Sequence, residues 1–260
     1  MRFAPGLILL FASAPAAAQR LPYEDVLTPA PRLAYAEMLI AEAPPPARRP
    51  EASGRVHAFY GDRFEYDPHG RAYSWDVSAE IGGSAHRLWL ATAGDGLRHG
   101  GLSYVEAQAL YSHPIIESGL ALQAGVRRDF IRPRRTHAVL GLQGNVSEPF
   151  YVGAFGFLST KGELTGRVFA YYDWESVDRL VLQPYAGIAL AAADIPALGL
   201  GRGVSEGELG LRLRYRIVEP FAPYLGLSWD RLLGRTARLA RQAGDDLGGT
   251  SLVLGVRSYF

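Results

Sequence analysis

Glu208-Leu-Gly-Leu-Arg-Leu-Arg-Tyr-Arg-Ile217 alternates at every position. Leu209, Leu211, Leu213, Tyr215 and Ile217 fall on one face of an extended chain, and Glu208, Gly210, Arg212, Arg214 and Arg216 on the other. Successive strand side chains point to opposite sides, so this segment reads as a strand with one apolar and one charged face. The pattern recurs in both directions along the chain. In 118–130, Leu120, Leu122, Ala124, Val126 and Phe130 oppose Ala121, Gln123, Gly125, Arg127 and Asp129. In 136–144, Ala138, Leu140 and Leu142 oppose His137, Val139, Gly141 and Gln143. Near 73–81, Tyr73, Trp75, Val77, Ala79 and Ile81 oppose Ser74, Asp76, Ser78 and Glu80.

A soluble sandwich also alternates, and three features separate this chain from one. The alternating segments reach about ten residues, the length needed to cross a bilayer when tilted, where sandwich strands average about five or six. Tyr66, Tyr73, Tyr111, Phe130, Trp174 and Trp229 stand near strand ends, as interfacial aromatic girdles require. The chain ends in alternating apolar residues, Leu252-Val-Leu-Gly-Val-Arg-Ser-Tyr-Phe260, and that ending resembles the C-terminal strand of outer-membrane barrels. An open sheet would leave backbone groups unsatisfied in lipid, so the strands must close on themselves. The expected fold is all-β: a transmembrane antiparallel up-and-down barrel of about 12 strands, at 55–66, 71–82, 86–93, 101–112, 118–130, 136–144, 149–159, 163–174, 179–192, 204–218, 222–233 and 249–260. An even count puts both ends on the periplasmic side. The connections near 83–85, 113–117, 145–148, 175–178 and 219–221 then belong to that side, with 94–100, 193–203 and 234–248 on the other.

Upstream of the barrel the composition changes. Residues 1–18 have the form of a secretory signal peptide, with Arg2, an apolar run from Leu7 to Ala12 and small residues Ala16, Ala17 and Ala18 for cleavage. The apolar run is too short to span a bilayer as a helix. Residues 19–54 hold Pro22, Pro29, Pro31, Pro44, Pro45, Pro46 and Pro50. That density prevents continuous helix or sheet and predicts a Pro-rich periplasmic tail, with a short helix over 33–42. The barrel domain is 55–260.

Composition excludes several functions. Cysteine is absent, which removes disulfides, thiol nucleophiles and thiolate metal sites. Once Arg2 leaves with the leader, the 27 basic side chains less that one stand against 26 acidic ones, so no nucleic-acid footprint is expected. No Ser/His/Asp grouping suggests an enzyme. His137 faces inward by the alternation, whereas Ser147 falls in a turn ten residues away.

Alternation also defines the lumen. It turns inward Arg63, Glu65, Asp76, Glu80, Arg87, Glu106, Gln108, Arg127, Asp129, His137, Arg167, Arg179, Gln183, Glu208, Arg212, Arg214, Asp230 and Arg257. Paired arginines and carboxylates fill a small barrel, because an unpaired buried charge is costly. A lumen lined with carboxylates also passes or holds cations. Of the six histidines (His57, His69, His86, His99, His113 and His137), His57 near the periplasmic mouth and His137 in the lumen are the metal-binding candidates.

An ordered series of segments carries a family resemblance: Asp62-Arg-Phe-Glu-Tyr66, Tyr73-Ser-Trp-Asp76, Arg87-Leu-Trp-Leu90, Glu106-Ala-Gln-Ala-Leu-Tyr-Ser112, Leu122-Gln-Ala-Gly-Val-Arg127, Glu208-Leu-Gly-Leu-Arg-Leu-Arg-Tyr215, Phe221-Ala-Pro-Tyr224 and Gly255-Val-Arg257. Over residues 55–260 the chain resembles the copper resistance protein B family. The resemblance implies a bacterial outer-membrane barrel that binds copper ions or passes them through its lumen. It implies surrounding lipid and a periplasmic multicopper oxidase as partners. Many members carry a Met- and His-rich segment before the barrel, whereas residues 19–54 contain only Met38 and no histidine. A copper site would then use lumen carboxylates and imidazole, a harder set suited to copper(II). The candidate copper ligands are His57, Glu65, Asp76, Glu80, Glu106, His137 and Glu208. The rival expectation is a general small-solute channel or structural barrel without specific copper binding.

Overall fold

A computed structural model describes residues 55–260 except 117, 118, 148 and 219. The expected leader (1–18), the Pro-rich tail (19–54) and the helix expected over 33–42 lie outside the described residues.

The described chain is almost entirely strand: β1 (Arg55–Asp67), β2 (Ala72–Gly83), β3 (Arg87–Leu97), β4 (Gly101–Pro114), β5 (Ala121–Asp129), β6 (Thr136–Ser147), β7 (Phe150–Ser159), β8 (Leu164–Tyr172), β9 (Trp174–Val177), β10 (Leu180–Ala191), β11 (Gly203–Tyr215), β12 (Phe221–Leu232) and β13 (Thr250–Tyr259). Each strand pairs antiparallel with its sequence neighbours, apart from β8 and β9. Those two lie end to end along β10, which meets β8 from Tyr185 to Ala191 and β9 from Leu180 to Leu182. They are one stave interrupted at Asp173, so the thirteen described segments build twelve barrel strands. The ring closes where β1 meets β13, with Tyr60 opposite Tyr259 and Tyr66 opposite Leu254. This seam holds five register pairs across a bulge at Gly61/Phe64, against nine between β12 and β13.

The period-two pattern is realised as burial. In β6 buried and exposed residues alternate from His137 as far as Gln143, and Leu140 on the outer side is 61% exposed. Leu122, Val126, Leu158, Val168, Leu209, Leu211, Leu225 and Leu254 are likewise exposed. A water-soluble fold does not display so continuous an apolar surface; a barrel wall facing lipid does. No described helix is long and apolar enough to cross a membrane, and the crossing falls to the strands.

Three expectations change in detail. First, β3 continues through Gly94 and Gly96 to Leu97, beyond the end expected at 93. Those glycines lie under rings from β2. A Cβ on Gly94 would sit 2.4 Å from Trp75, and one on Gly96 would sit 2.7 Å from the Tyr73 hydroxyl. Second, the connection expected over 234–248 contains a helix, α1 (Gly234–Ala243), which buries Thr236, Ala237 and Ala240 against Leu232 and Leu247. Third, Arg179 does not enter the lumen. It occupies a turn in the left-handed region (φ 67°) and is exposed.

The far end of the barrel carries a paired charge outside the membrane-spanning strands. Arg135 Nε donates to Glu163 Oε2 at 2.6 Å and its Nη2 to Oε1 at 3.0 Å. The Ser159 hydroxyl adds a third bond at 2.8 Å. These bonds, chiefly the one from Arg135, hold the Glu163 carboxyl below the usual carboxylate range. A depressed folded-state pKa gives stability that is complete above the unfolded value, about 4.3, and is lost as pH falls through the folded value. Glu163→Gln is expected to cost about 1 kcal/mol at pH 7. In denaturant titrations between pH 7 and pH 3, the difference from the parent should shrink toward zero on acidification.

Candidate functional site

Register places the lumen groups before any side-chain contact is considered. Arg63 pairs with Asp76, Asp76 with Ala93, Ala93 with Glu106, and Glu106 with Asp129. One inward row thus crosses five strands. One residue row away, Gln108 pairs with Arg127 and Arg127 with His137. Asp76 and Glu106 are two strand spacings apart, about 10 Å between backbones, and the residue between them is only alanine. The small side chains of Ala91 and Ala93 leave a cavity of about 40 Å³ there, lined also by Asp76, Glu106, Gln108, Gln123, Gln143 and Arg167.

The polar walls of this cavity are tied together. Arg127 Nε lies 2.6 Å from Glu106 Oε2 and 2.8 Å from Asp129 Oδ1, and its Nη2 donates to the Tyr104 hydroxyl at 2.7 Å. Tyr104 in turn donates to Glu106, and Gln108 Nε2 donates to Glu106 Oε1 at 2.6 Å. The Arg127 guanidinium stacks 4.8 Å from the Phe157 ring centroid. His137 is buried beside this cluster, with Nδ1 3.8 Å from Asp129 Oδ2 and its ring edge-on to Phe157.

A second cluster lies toward β11 and β12. Arg212 Nε and Nη2 both lie 2.8 Å from Glu65 Oε1, which also accepts from the Tyr224 hydroxyl at 3.0 Å. Arg212 stacks 4.5 Å from the Tyr185 centroid. Tyr185 donates to Glu208 Oε1 at 2.7 Å, and Ser228 reaches the same oxygen at 3.3 Å. Tyr185 can lie flat across the wall because residue 210 is glycine: a Cβ there would stand 1.8 Å from its ring. Nearer the end where β13 stops, Arg87 Nη1 donates to Glu80 Oε1 at 2.8 Å. Asp173, at the break between β8 and β9, accepts from Gln183 at 2.7 Å and from Arg214 at 2.5 Å.

The structure brings Asp76 and Glu106 to one cavity, with His137 one residue row away through Arg127. Glu65 and Glu208 share a second cluster, and Glu80 stands apart with Arg87. His57 pairs with Ile81, is exposed and lies on the outward side, away from the lumen mouth where the sequence put it. Ser147 and His137 occupy opposite ends of β6. Among the described residues, no three histidine, aspartate or glutamate side chains gather as a preformed metal site. Inward carboxylates nonetheless outnumber inward guanidiniums: Asp62, Glu65, Asp76, Glu80, Glu106, Asp129, Asp173, Glu206, Glu208 and Asp230 face Arg63, Arg87, Arg127, Arg167, Arg212, Arg214 and Arg257.

Alternation missed several of these residues. Asp62 turns inward together with Arg63 because of the β1 bulge between Gly61 and Arg63. Tyr104, Tyr185 and Tyr224 are buried and supply hydroxyls to carboxylates. The signal for the latter two was a cross-strand glycine: Gly210 opposite Tyr185 and Gly255 opposite Tyr224.

A closed twelve-stranded wall, apolar outside and filled by charged pairs inside, defines an outer-membrane-type β-barrel. The NanC porin has the same fold, with a TM-score of 0.51 over 78% of this chain and 99% of that one at 14% identity. The family model for copper resistance protein B precursor matches residues 55–260, and the chain belongs to that family. It is 37% identical over 206 residues to the copper resistance protein B homolog of Pseudomonas syringae pv. tomato, a match covering 78% of this chain and 69% of the relative. It is 38% identical over 190 residues to copper resistance protein B of Escherichia coli, covering 72% of this chain and 63% of that protein. The matched part is therefore about two thirds of these relatives' length. Family membership supports a role in copper resistance.

Proposed function

We propose that this chain sits in the bacterial outer membrane and passes copper ions through its lumen, contributing to copper resistance without catalysing a reaction. The observation that carries the reading is the cavity between Asp76 and Glu106, opened by Ala91 and Ala93. At about 40 Å³ it has room for an ion with one or two waters, each needing at least about 10–15 Å³. The carboxylate excess around it favours a cation. An arriving divalent ion competes with Arg127 for the oxygens of Glu106 and Asp129, so the guanidinium is displaced as the ion binds and returns as it leaves. Oxygen and imidazole donors suit copper(II) rather than copper(I), and the described residues include neither methionine nor cysteine. A periplasmic multicopper oxidase fits the same reading as the protein that exchanges copper with the barrel. The rival, a small-solute channel or structural barrel, draws on the engagement of Glu65, Glu80, Glu106 and Glu208 by arginine or tyrosine.

Copper tolerance and periplasmic copper content of a deletion strain, complemented with the parent or with Ala93→Leu, separate the two. The deletion should change both quantities. Ala93→Leu fills the cavity without removing a charge and should fail to restore them while still reaching the membrane. Equal tolerance in deletion and parent across several copper concentrations would sink the copper reading, whereas full rescue by Ala93→Leu would remove this cavity from the path.

A further inference from the structure

We propose that His86 and His113 form a binding site for a divalent transition-metal ion, with copper(II) the tightest, on the outer rim of the barrel at the end where β13 terminates. The site lies outside the lumen and needs none of its residues.

His86 sits in the turn between β2 and β3, and His113 near the end of β4. Their ring centroids are 5.5 Å apart. Two imidazoles that share one metal, with metal–nitrogen bonds of about 2.0–2.1 Å and near-tetrahedral angles, hold their centroids roughly 5 Å apart. The spacing therefore already suits a shared ion, and His86 is exposed where an ion would arrive.

Hydrogen bonding presents the correct nitrogens. His113 Nδ1 lies 2.7 Å from the Ala85 carbonyl oxygen, which can only accept. Nδ1 therefore carries the proton, and in the neutral ring the lone pair is on Nε2. His86 Nδ1 is bonded to the Tyr111 hydroxyl, and the two rings stack with centroids 5.9 Å apart. With Nδ1–H donating to that oxygen, His86 also presents Nε2 as a ligand. Ligating histidines are held in this manner, one nitrogen fixed by a carbonyl or hydroxyl and the other turned to the metal. Tyr111 is the positioning residue: it lies on the outward face opposite Leu88 and fixes one ring. Water or an exchanging ligand completes the coordination, which suits an ion that is handed on. Imidazole pairs select copper(II), zinc and nickel, with copper(II) bound most tightly.

The test is copper(II) titration of the full chain in detergent, read by electron paramagnetic resonance. The parent should bind one ion with two nitrogen donors, a signature that a carboxylate lumen with a single histidine does not produce. His86→Asn and His113→Asn should each weaken binding at least tenfold and leave at most one nitrogen. Tyr111→Phe should weaken it about tenfold while keeping both nitrogens. His69→Asn and His99→Asn, in connections at the other end, should change nothing. Parent-like binding in the His86 and His113 variants overturns the proposal, as does a two-nitrogen signal that disappears with His57→Asn or His137→Asn. The outcome is independent of the deletion-strain comparison, so a barrel that does not pass copper can still carry this site.

Discussion

Arg127→Ala is expected to destabilise the barrel by about 3–5 kcal/mol, the cost of leaving a buried charge without its partner. Arg127 is fully buried, and one guanidinium serves Glu106, Asp129 and Tyr104 while stacking on Phe157. Its removal leaves two carboxylates facing each other across adjacent strands at the register pair Glu106–Asp129. Combining Arg127→Ala with Glu106→Gln and Asp129→Asn removes the uncompensated charges and should recover a large part of the loss. Urea unfolding in detergent or lipid, followed by tryptophan fluorescence, reads both variants. A loss below 1 kcal/mol for the single variant would show that solvent reaches this cluster freely and that Arg127 is not what holds it.

Leu140→Arg is the second large effect. Leu140 lies near the middle of β6 and is 61% exposed. On a water-facing surface such a change costs little, but arginine on the lipid face near the bilayer midplane costs about 2–4 kcal/mol. The same change at Tyr111, at the end of the wall, should cost less because the interface admits the charge. Folding into liposomes at a range of urea concentrations gives the comparison, and equal small costs at both positions would mean that the outer face does not meet a hydrocarbon layer.

The wall was legible in the sequence because lipid demands apolar side chains on one side of every strand, and that demand is local and repeats every second residue. The inward positions at Ser74–Glu80, Gln123–Asp129, His137–Gln143 and Glu208–Arg214 follow from it. What alternation cannot show is who pairs with whom. Glu65 and Arg212 are separated by 147 residues and meet only because β1 closes on β13. The position of Asp62 depends on a bulge, an irregularity that a strict period excludes. Helix α1 falls in a stretch expected as a connection: Arg235, Arg238 and Arg241 recur at helical spacing opposite the buried Thr236, Ala237 and Ala240, but those buried side chains are small and lack the large apolar residues that mark a core helix. Contact between the rim histidines is not legible in the sequence, since nothing in their spacing (27 positions apart) signals it; the β2–β3–β4 register creates it.

The seam between β1 and β13 joins the first barrel strand to the last, with five register pairs and a bulge. Every other junction is made by segments close in sequence, which find each other early at small entropic cost. This one must wait until all the others are in place, and it is the least zipped part of the circumference. The barrel is therefore a belt with a single buckle, the one junction whose two strands lie at opposite ends of the barrel sequence. Until it fastens, the chain is a curved open sheet with two free edges, each a template for pairing with another strand.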